Sequence, residues 1–436
     1  MNNLLANWWR SYKFSTALKH GDNRIAKKLL KEIEKSKSKL SWQEKLFRDK
    51  LQLEELLNDK NESIREFDRR VQELELQLGF GQIDDFSRQF NDLTLIPDTK
   101  FTEFIFSSFN LIEHDKNLVQ CTGIDDRIFD DFEANLAEYI KEEFKNSSWQ
   151  KKLNILVKEA IDDINKLKVG QDPEYRFELS PHVYLIRYFL DNVYCAYLAW
   201  FFIYKLGLLP IKVNILDIAA GPGTAAYGLA LLLQSTSGFF SMPSMHISYY
   251  SLEQQKSFQY RGLQFWRQYM EPLAMNAYFR FDTANIFDYD SQYRKLPKKF
   301  FDFIVISHCF FNDSDRRSQS SRVYNQIFAN SLKDSGYALL IIQDKKLFRP
   351  YNINQNDDRN LELNVVNRCV KELGLELVWY KYLSSTGKRN PISDFGKFAR
   401  ENLSVQRYMS PLARQYFGLN FDLHYGLDDY VILARR

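Results

Sequence analysis

The hydrophobic and polar positions change period about midway along the chain. In the first part apolar residues recur at helical spacing: Leu53, Leu57, Ile64, Phe67, Val71, Leu74 and Leu78 follow a 4/3 pattern with Lys60 at one seam position. Such a stripe predicts a helical hairpin or short coiled coil, its apolar face turned to a core or to a partner helix. Gly79-Phe80-Gly81 ends the pattern. Amphipathic helices are expected over 101–167, with an acidic stretch at 125–143, and a more apolar helix over 179–208. From residue 213 onward short apolar runs take over. The runs 213–217, 246–253, 277–288, 300–308, 337–343, 375–382 and 430–434 read as strands, with helical segments such as 225–233 and 361–373 between them. Strands alternating with helices predict an α/β fold with a doubly wound, mainly parallel sheet. Three regions follow: a basic helical hairpin or coiled-coil-like region at 1–90, a helical region at 91–209, and an α/β domain at 210–436 carrying an insertion at 386–429.

The turn after the first of these strands carries the chemistry. Asp217 ends a branched apolar run, and Ala219-Ala220-Gly221-Pro222-Gly223-Thr224 leads into the next helix. Gly221 and Gly223 permit close backbone approach to a ligand, and the helix start offers free N–H groups. A second strand ends in Glu253, whose carboxylate can accept two ribose hydroxyls; the alternative is a solvated helix-cap glutamate.

These elements resemble, in order, the class I S-adenosylmethionine (SAM)-dependent methyltransferases, with Ala219 where the family has its first glycine. The resemblance covers about 210–436 and implies a seven-stranded Rossmann-like sheet, its last strand antiparallel, behind an all-α N-terminal domain. It implies SAM as cofactor, with Asp217, Ala219, Gly221 and Gly223 around the methionine end and Glu253 on the ribose. Asn285 and Ile286 then serve the adenine, with Asp282 as the competing acid, and Ser307 closes the set. Two departures stand out: 36 residues separate Asp217 from Glu253, and about 45 separate the last two strands. The Ala-Gly-Pro-Gly-Thr turn behind a helical half is also similar to that of methyltransferase-like proteins of the small mitochondrial ribosomal subunit. Their cysteine cluster for a metal centre has no counterpart here, so no metal site is expected.

Methyl transfer needs a nucleophile in line with the methyl group and, for a weakly acidic one, a base. His308, just past the fourth strand, is the candidate base; the other reading is a polar residue at a strand end. Cys309 lacks the Pro-Cys or Thr-Cys context of pyrimidine ring methylation, and the Asn/Asp-Pro-Pro-Tyr signature of base amino-methylation is missing. Before the first strand, Tyr184, Arg187, Tyr188 and Asn192 are expected to cover the cofactor mouth or to pack on the sheet.

With 45% apolar residues and 15% aromatics, the 436-residue chain is expected to fold rather than stay disordered. Net charge is only +3, but residues 1–50 hold 13 Lys/Arg against 5 Asp/Glu. That arm can meet phosphates or be a solvated helix face. In the insertion, Lys388, Arg389, Lys397, Arg400, Arg407 and Arg414 interleave with aromatics, a mixture that can stack bases or form a lid with its own small core. Four scattered cysteines without a CxxC pair argue against zinc, iron–sulfur and disulfides, and point to the reducing cytoplasm. No secretory leader is recognised, and the most apolar stretch, 193–204, is about half a membrane span. The acceptor stays open among a small molecule, RNA and protein. Alternatives are an RNA- or ribosome-directed methyltransferase and a SAM-binding scaffold without catalysis, with a protein partner possible through the N-terminal helices.

Overall fold

The computed structural model describes residues 10–14, 16–17, 23–36, 94–145, 152–169, 171–240, 245–273, 277–288, 296–390 and 392–436. They fall into two compact units, Met1–Asn91 and Asp92–Arg436. In the first, helix α1 (Asn23–Ser36) buries Ala26, Leu30 and Ile33, a single helical face, together with Phe14 and Ala17. Lys28 and Lys31 lie on its exposed side. The stripe from Leu53 to Leu78 lies outside the described residues.

The second unit is built on one sheet. Its strands are β1 (Ile112–Glu113), β2 (Leu118–Gln120), β3 (Lys212–Ile218), β4 (His246–Glu253), β5 (Ala277–Thr283), β6 (Phe301–Ser307), β7 (Leu332–Gln343), β8 (Glu376–Ser384) and β9 (Asp428–Arg435). They lie in the order β1-β2-β8-β9-β7-β6-β3-β4-β5. From β5 to β7 all pairings are parallel, and β9 runs antiparallel between β7 and β8. The sheet thus has nine strands where seven were expected. The extra pair comes from the region read as helical, with β2 parallel to β8 and β1 antiparallel on the outer edge. Strands of two and three residues are too short to leave a period-2 signal, and Asp115-Lys116-Asn117 between them reads as a turn.

Alternation along the strands divides two cores. Ile215, Phe303, Val305, Leu339, Ile341, Val431 and Leu433 point to one face, covered by α2 (Thr99–Ser108), α3 (Asp126–Lys145), α6 (Leu190–Lys205) and α7 (Thr224–Ser235). Leu216, Ile218, Ile304, Ile306, Leu340, Ile342 and Ile432 point to the other, under α9 (Ser314–Ser331) and α11 (Arg359–Glu372). Helix α6 is buried on nearly all sides, and its Trp200 donates to the Ala225 carbonyl at 2.9 Å. No helix among the described residues is long and apolar enough to cross a membrane.

The insertion packs on α3 instead of spanning open space. It carries helices α12 (Phe395–Asn402) and α13 (Met409–Phe417), and buried Glu133 ties down the start of α13, accepting from the Tyr408 and Met409 N–H groups, both at 2.8 Å, and from the Tyr425 hydroxyl at 3.0 Å. Three of the six cations singled out in it are engaged: Arg389 with Asp115 and Glu362, Arg407 with Asp130 and Arg414 with Asp422.

Candidate functional site

Strand order reverses between β3 and β6, and ligands of open α/β sheets bind at the carboxyl ends of such neighbours. Ile218 pairs with Ile306. The turn leaving β3 therefore sits beside Ser307 and His308, and a cavity of about 630 Å³ opens there.

The turn is held in an unusual backbone shape. Ala219, Gly221 and Gly223 have φ of 55°, 55° and 88°. A Cβ built at Gly221 or Gly223 meets nothing within 4 Å, so the turn leaves an open cradle there. Ala219 adopts the left-handed conformation that glycine takes freely, at a cost of about 1–2 kcal/mol. The turn is tied to the end of β4, because the Ala219 N–H donates to the Leu252 carbonyl at 2.7 Å and the Gly221 N–H donates to Glu253 Oε2 at 2.8 Å. Glu253 Oε1 accepts from the Gln255 N–H at 2.7 Å. Burial pushes the Glu253 carboxyl up, and these backbone donors oppose the shift without cancelling it.

Ala219, Gly221, Glu253, Asn285, Ile286, Ser307 and His308 all line the cavity. Asp217 and Gly223 do not. Asp217 is 1% exposed; its Oδ2 accepts from the Tyr249 hydroxyl, its Oδ1 has no hydrogen-bond partner, and burial pushes its pKa up to about 7. Its place as a ligand contact is thereby corrected to a buried prop beneath the turn, because the alternation that points Leu216 and Ile218 to one face turns Asp217 to the other, against Tyr249. Gly223 starts α7 as its N-cap.

On the adenine side of the expected site, Asn285 Oδ1 accepts from the Phe287 N–H at 3.0 Å, leaving its amide N–H groups available, and Ile286 is buried. At the end of β6, Ser307 Oγ lies 2.9 Å from His308 Nδ1, and His308 Nε2 lies 3.1 Å from Asp429 Oδ1. Cys309 also lines the cavity, but burial pushes its thiol up to about 11, against nucleophilic use.

Of the four side chains expected at the cofactor mouth before the first strand, three reach the cavity, whereas one further wall, a strap, escaped the sequence reading. Tyr184, Tyr188 and Asn192 line the cavity, brought to one side by a π-helical segment, Leu185–Phe189, between α5 (Ser180–Tyr184) and α6. Arg187 does not line it; the guanidinium sits 5.7 Å from the Tyr188 ring centroid. A strap at 171–176 crosses the cavity, with Asp172 paired to Lys346 of α10 (Asp344–Phe348) at 3.1 Å and accepting from the Asn312 N–H at 3.2 Å. Behind it, Asp163 accepts from the Glu174 and Tyr175 N–H groups at 3.1 and 2.8 Å. The only sequence signal for the strap is a helix break at Gly170 and Pro173. Among the described residues, none of the insertion lines the cavity.

No family model matches the chain, and no curated protein does. Solved structures similar to it include a putative SAM-dependent methyltransferase from Methanococcus maripaludis, at 14% identity over 59% of this chain and 90% of that one, TM-score 0.28. A putative sarcosine dimethylglycine methyltransferase from Galdieria sulphuraria matches at 15% identity over 56% and 83%, TM-score 0.31. Geranyl diphosphate C-methyltransferase from Streptomyces coelicolor matches at 12% over 55% and 75%, TM-score 0.31. Likeness at this level carries no argument about activity.

Proposed function

We propose that the cavity binds SAM and that the protein is a methyltransferase acting on a small molecule. One observation carries the reading: a left-handed turn with an open cradle at Gly221 is hydrogen-bonded to a buried carboxylate at the switch point of a doubly wound sheet. The residues present fit the cofactor. Glu253 has accepted one backbone N–H on each oxygen and keeps lone pairs for two ribose hydroxyls. Asn285 has amide hydrogens for the adenine and Ile286 an apolar surface for the ring; the Ala219–Gly221 backbone would hold the methionine end. When bound, SAM supplies a methyl group already activated on sulfonium sulfur. The protein's part is then orientation and, for a proton-bearing acceptor, a base, which is the role we give His308.

An acceptor of small size is favoured by the aromatic wall of Tyr184, Tyr188, Phe287, Phe310 and Phe311 and by the strap across the cavity. The basic arm at 1–50 supports the RNA-directed alternative. Against the scaffold alternative stands Ala219, which keeps the backbone shape of the glycine it replaces. The reducing cytoplasm, with four free thiols, is the compartment we assign. The test is calorimetric titration of SAM into the wild type, Glu253→Ala and Gly221→Val. Tight binding by the wild type alone is expected; equal binding by all three removes the assignment.

A further inference from the structure

Moving a methyl cation equivalent onto a neutral O–H or N–H group leaves one proton to dispose of, and the cavity wall contains a chain that ends away from it. Ser307 Oγ, His308 Nδ1, His308 Nε2 and Asp429 Oδ1 are joined by contacts of 2.9 and 3.1 Å. Ser307 and His308 line the cavity and Asp429 stands behind them. The histidine and aspartate side chains are 14% and 10% exposed, so water competes little for either contact. Three further features fix the arrangement. His308 has φ of 60°, a conformation rare outside glycine that persists only where surroundings impose it. Its N–H donates to the Ile341 carbonyl at 2.8 Å, holding the backbone against β7. Asp429 pairs with Gln343 in the β7–β9 ladder, which brings it alongside the exit of β6 although 121 residues separate it from His308.

We propose that Ser307, His308 and Asp429 form a proton-accepting relay, with Asp429 as the positioning residue, and that the methyl acceptor is therefore a proton-bearing oxygen or nitrogen. This rests on the SAM reading given above. A carboxylate only accepts hydrogen bonds, so Asp429 requires the proton of the neutral imidazole to sit on Nε2. Nδ1 is then bare and accepts from the Ser307 hydroxyl. In the step, the acceptor's proton passes to Ser307 Oγ as the serine's own proton passes to His308 Nδ1; the serine ends neutral, and the imidazolium formed lies against Asp429. Two further acids share this corner: burial and the adjacent carboxyls push Asp344 up to about 8, and burial pushes Asp428 up. An acceptor ionised before it binds, such as a thiolate, would have no use for such a chain.

The experiment is long-range proton–nitrogen correlation on the full chain labelled with [15N]histidine, with His308→Gln identifying the His308 signals among the six histidines. The neutral wild-type ring is expected to carry its proton on Nε2. Ser307→Ala should move the Nδ1 signal and leave the Nε2 proton; Asp429→Asn should shift the ring toward the Nδ1-protonated form, and Asp429→Glu should restore it. A wild-type ring protonated on Nδ1, or one indifferent to Asp429→Asn, overturns the relay. Calorimetry with SAM keeps the two readings apart: no binding by the wild type removes the donor, whereas the tautomer decides the relay by itself. Incubation of the protein with [methyl-13C]SAM and a small-molecule cell extract tests the acceptor class, since methyl carbons on oxygen, nitrogen and sulfur differ in shift. Label on oxygen or nitrogen is expected, and label on sulfur overturns it.

Discussion

Gly221 donates its N–H to Glu253 Oε2 at 2.8 Å, so the turn after β3 and the acid ending β4 are one unit. The carboxylate shapes the cradle as well as offering itself to a ligand. Glu253→Ala therefore removes both a ligand contact and the strut under Gly221. SAM affinity should fall by roughly 1–3 kcal/mol, about five- to 150-fold in Kd. Glu253→Gln, which keeps an acceptor oxygen without the charge, should fall in between; calorimetry giving one Kd for all three proteins removes Glu253 from the site.

Gly221→Val tests the cradle itself. Its φ of 55° is a region that β-branched residues avoid, and the new side chain would project into open space where the cofactor is expected. Loss of SAM binding with an unchanged circular dichroism spectrum is the expected result. Normal binding by the folded variant would mean the ligand lies elsewhere in the cavity.

The strap yields a proteolytic readout. Asp172 and Lys346 are 11% and 15% exposed, and removing one partner of such a pair leaves the other poorly solvated. Arg176, whose side chain is 70% exposed, offers trypsin a site within the same segment. Asp172→Ala should speed cleavage after Arg176, and SAM should slow it in the wild type more than in the variant. A cleavage rate untouched by the substitution would show that Asp163, holding Glu174 and Tyr175, secures the strap alone.

What was readable in the chain follows from the range of each interaction. The run 246–253 alternates within eight residues and became β4 with those limits, because its period is local. Seven of nine named site residues meet at the cavity since strand ends converge there once the order of strands is known. Asp217 misled because its position in the motif says nothing of Tyr249, which takes up its carboxylate from the neighbouring strand. Asp429 and Asp172 were invisible for a related reason: their partners, His308 and Lys346, lie 121 and 174 residues away.

Asp217 also gives the protein a pH signature. Burial raises its pKa from the ordinary 3.8 to about 7, so the native state keeps a proton that the unfolded chain releases. Stability from this group is full below about pH 4, declines as pH rises toward 7, and is level above, a loss on the order of 4 kcal/mol. Asp217→Asn abolishes the slope. Its melting temperature, compared with that of the wild type, should improve between pH 4 and pH 8; a constant difference would mean that the native carboxyl ionises as readily as the unfolded one.

Arg389 separates an electrostatic role in folding from one in nucleic-acid binding. It was one of six cations that made the insertion resemble a phosphate-binding surface, yet only 4% of its side chain is exposed. Its Nε donates to Glu362 Oε2 at 2.5 Å and its Nη1 to Asp115 Oδ2 at 2.9 Å, joining the start of the insertion to α11 and to the turn between β1 and β2. Burial pushes the Asp115 carboxyl up, but the Arg389 guanidinium and the Leu118 and Asn117 N–H groups outweigh it and hold the group well below its ordinary range. Arg389→Met strands Glu362, itself 1% exposed, with only the Tyr380 and Tyr430 hydroxyls at 2.8 and 3.1 Å as donors. The cost should be about 3–5 kcal/mol in urea unfolding, and Arg389→Met/Glu362→Gln should recover part of it, since the orphaned charge is gone. Any RNA affinity of the protein should be unmoved by the double variant, because a guanidinium committed to two carboxylates has no face left for phosphate. A fall in affinity together with a smaller salt dependence would instead place Arg389 on an RNA contact and return the nucleic-acid reading to the front.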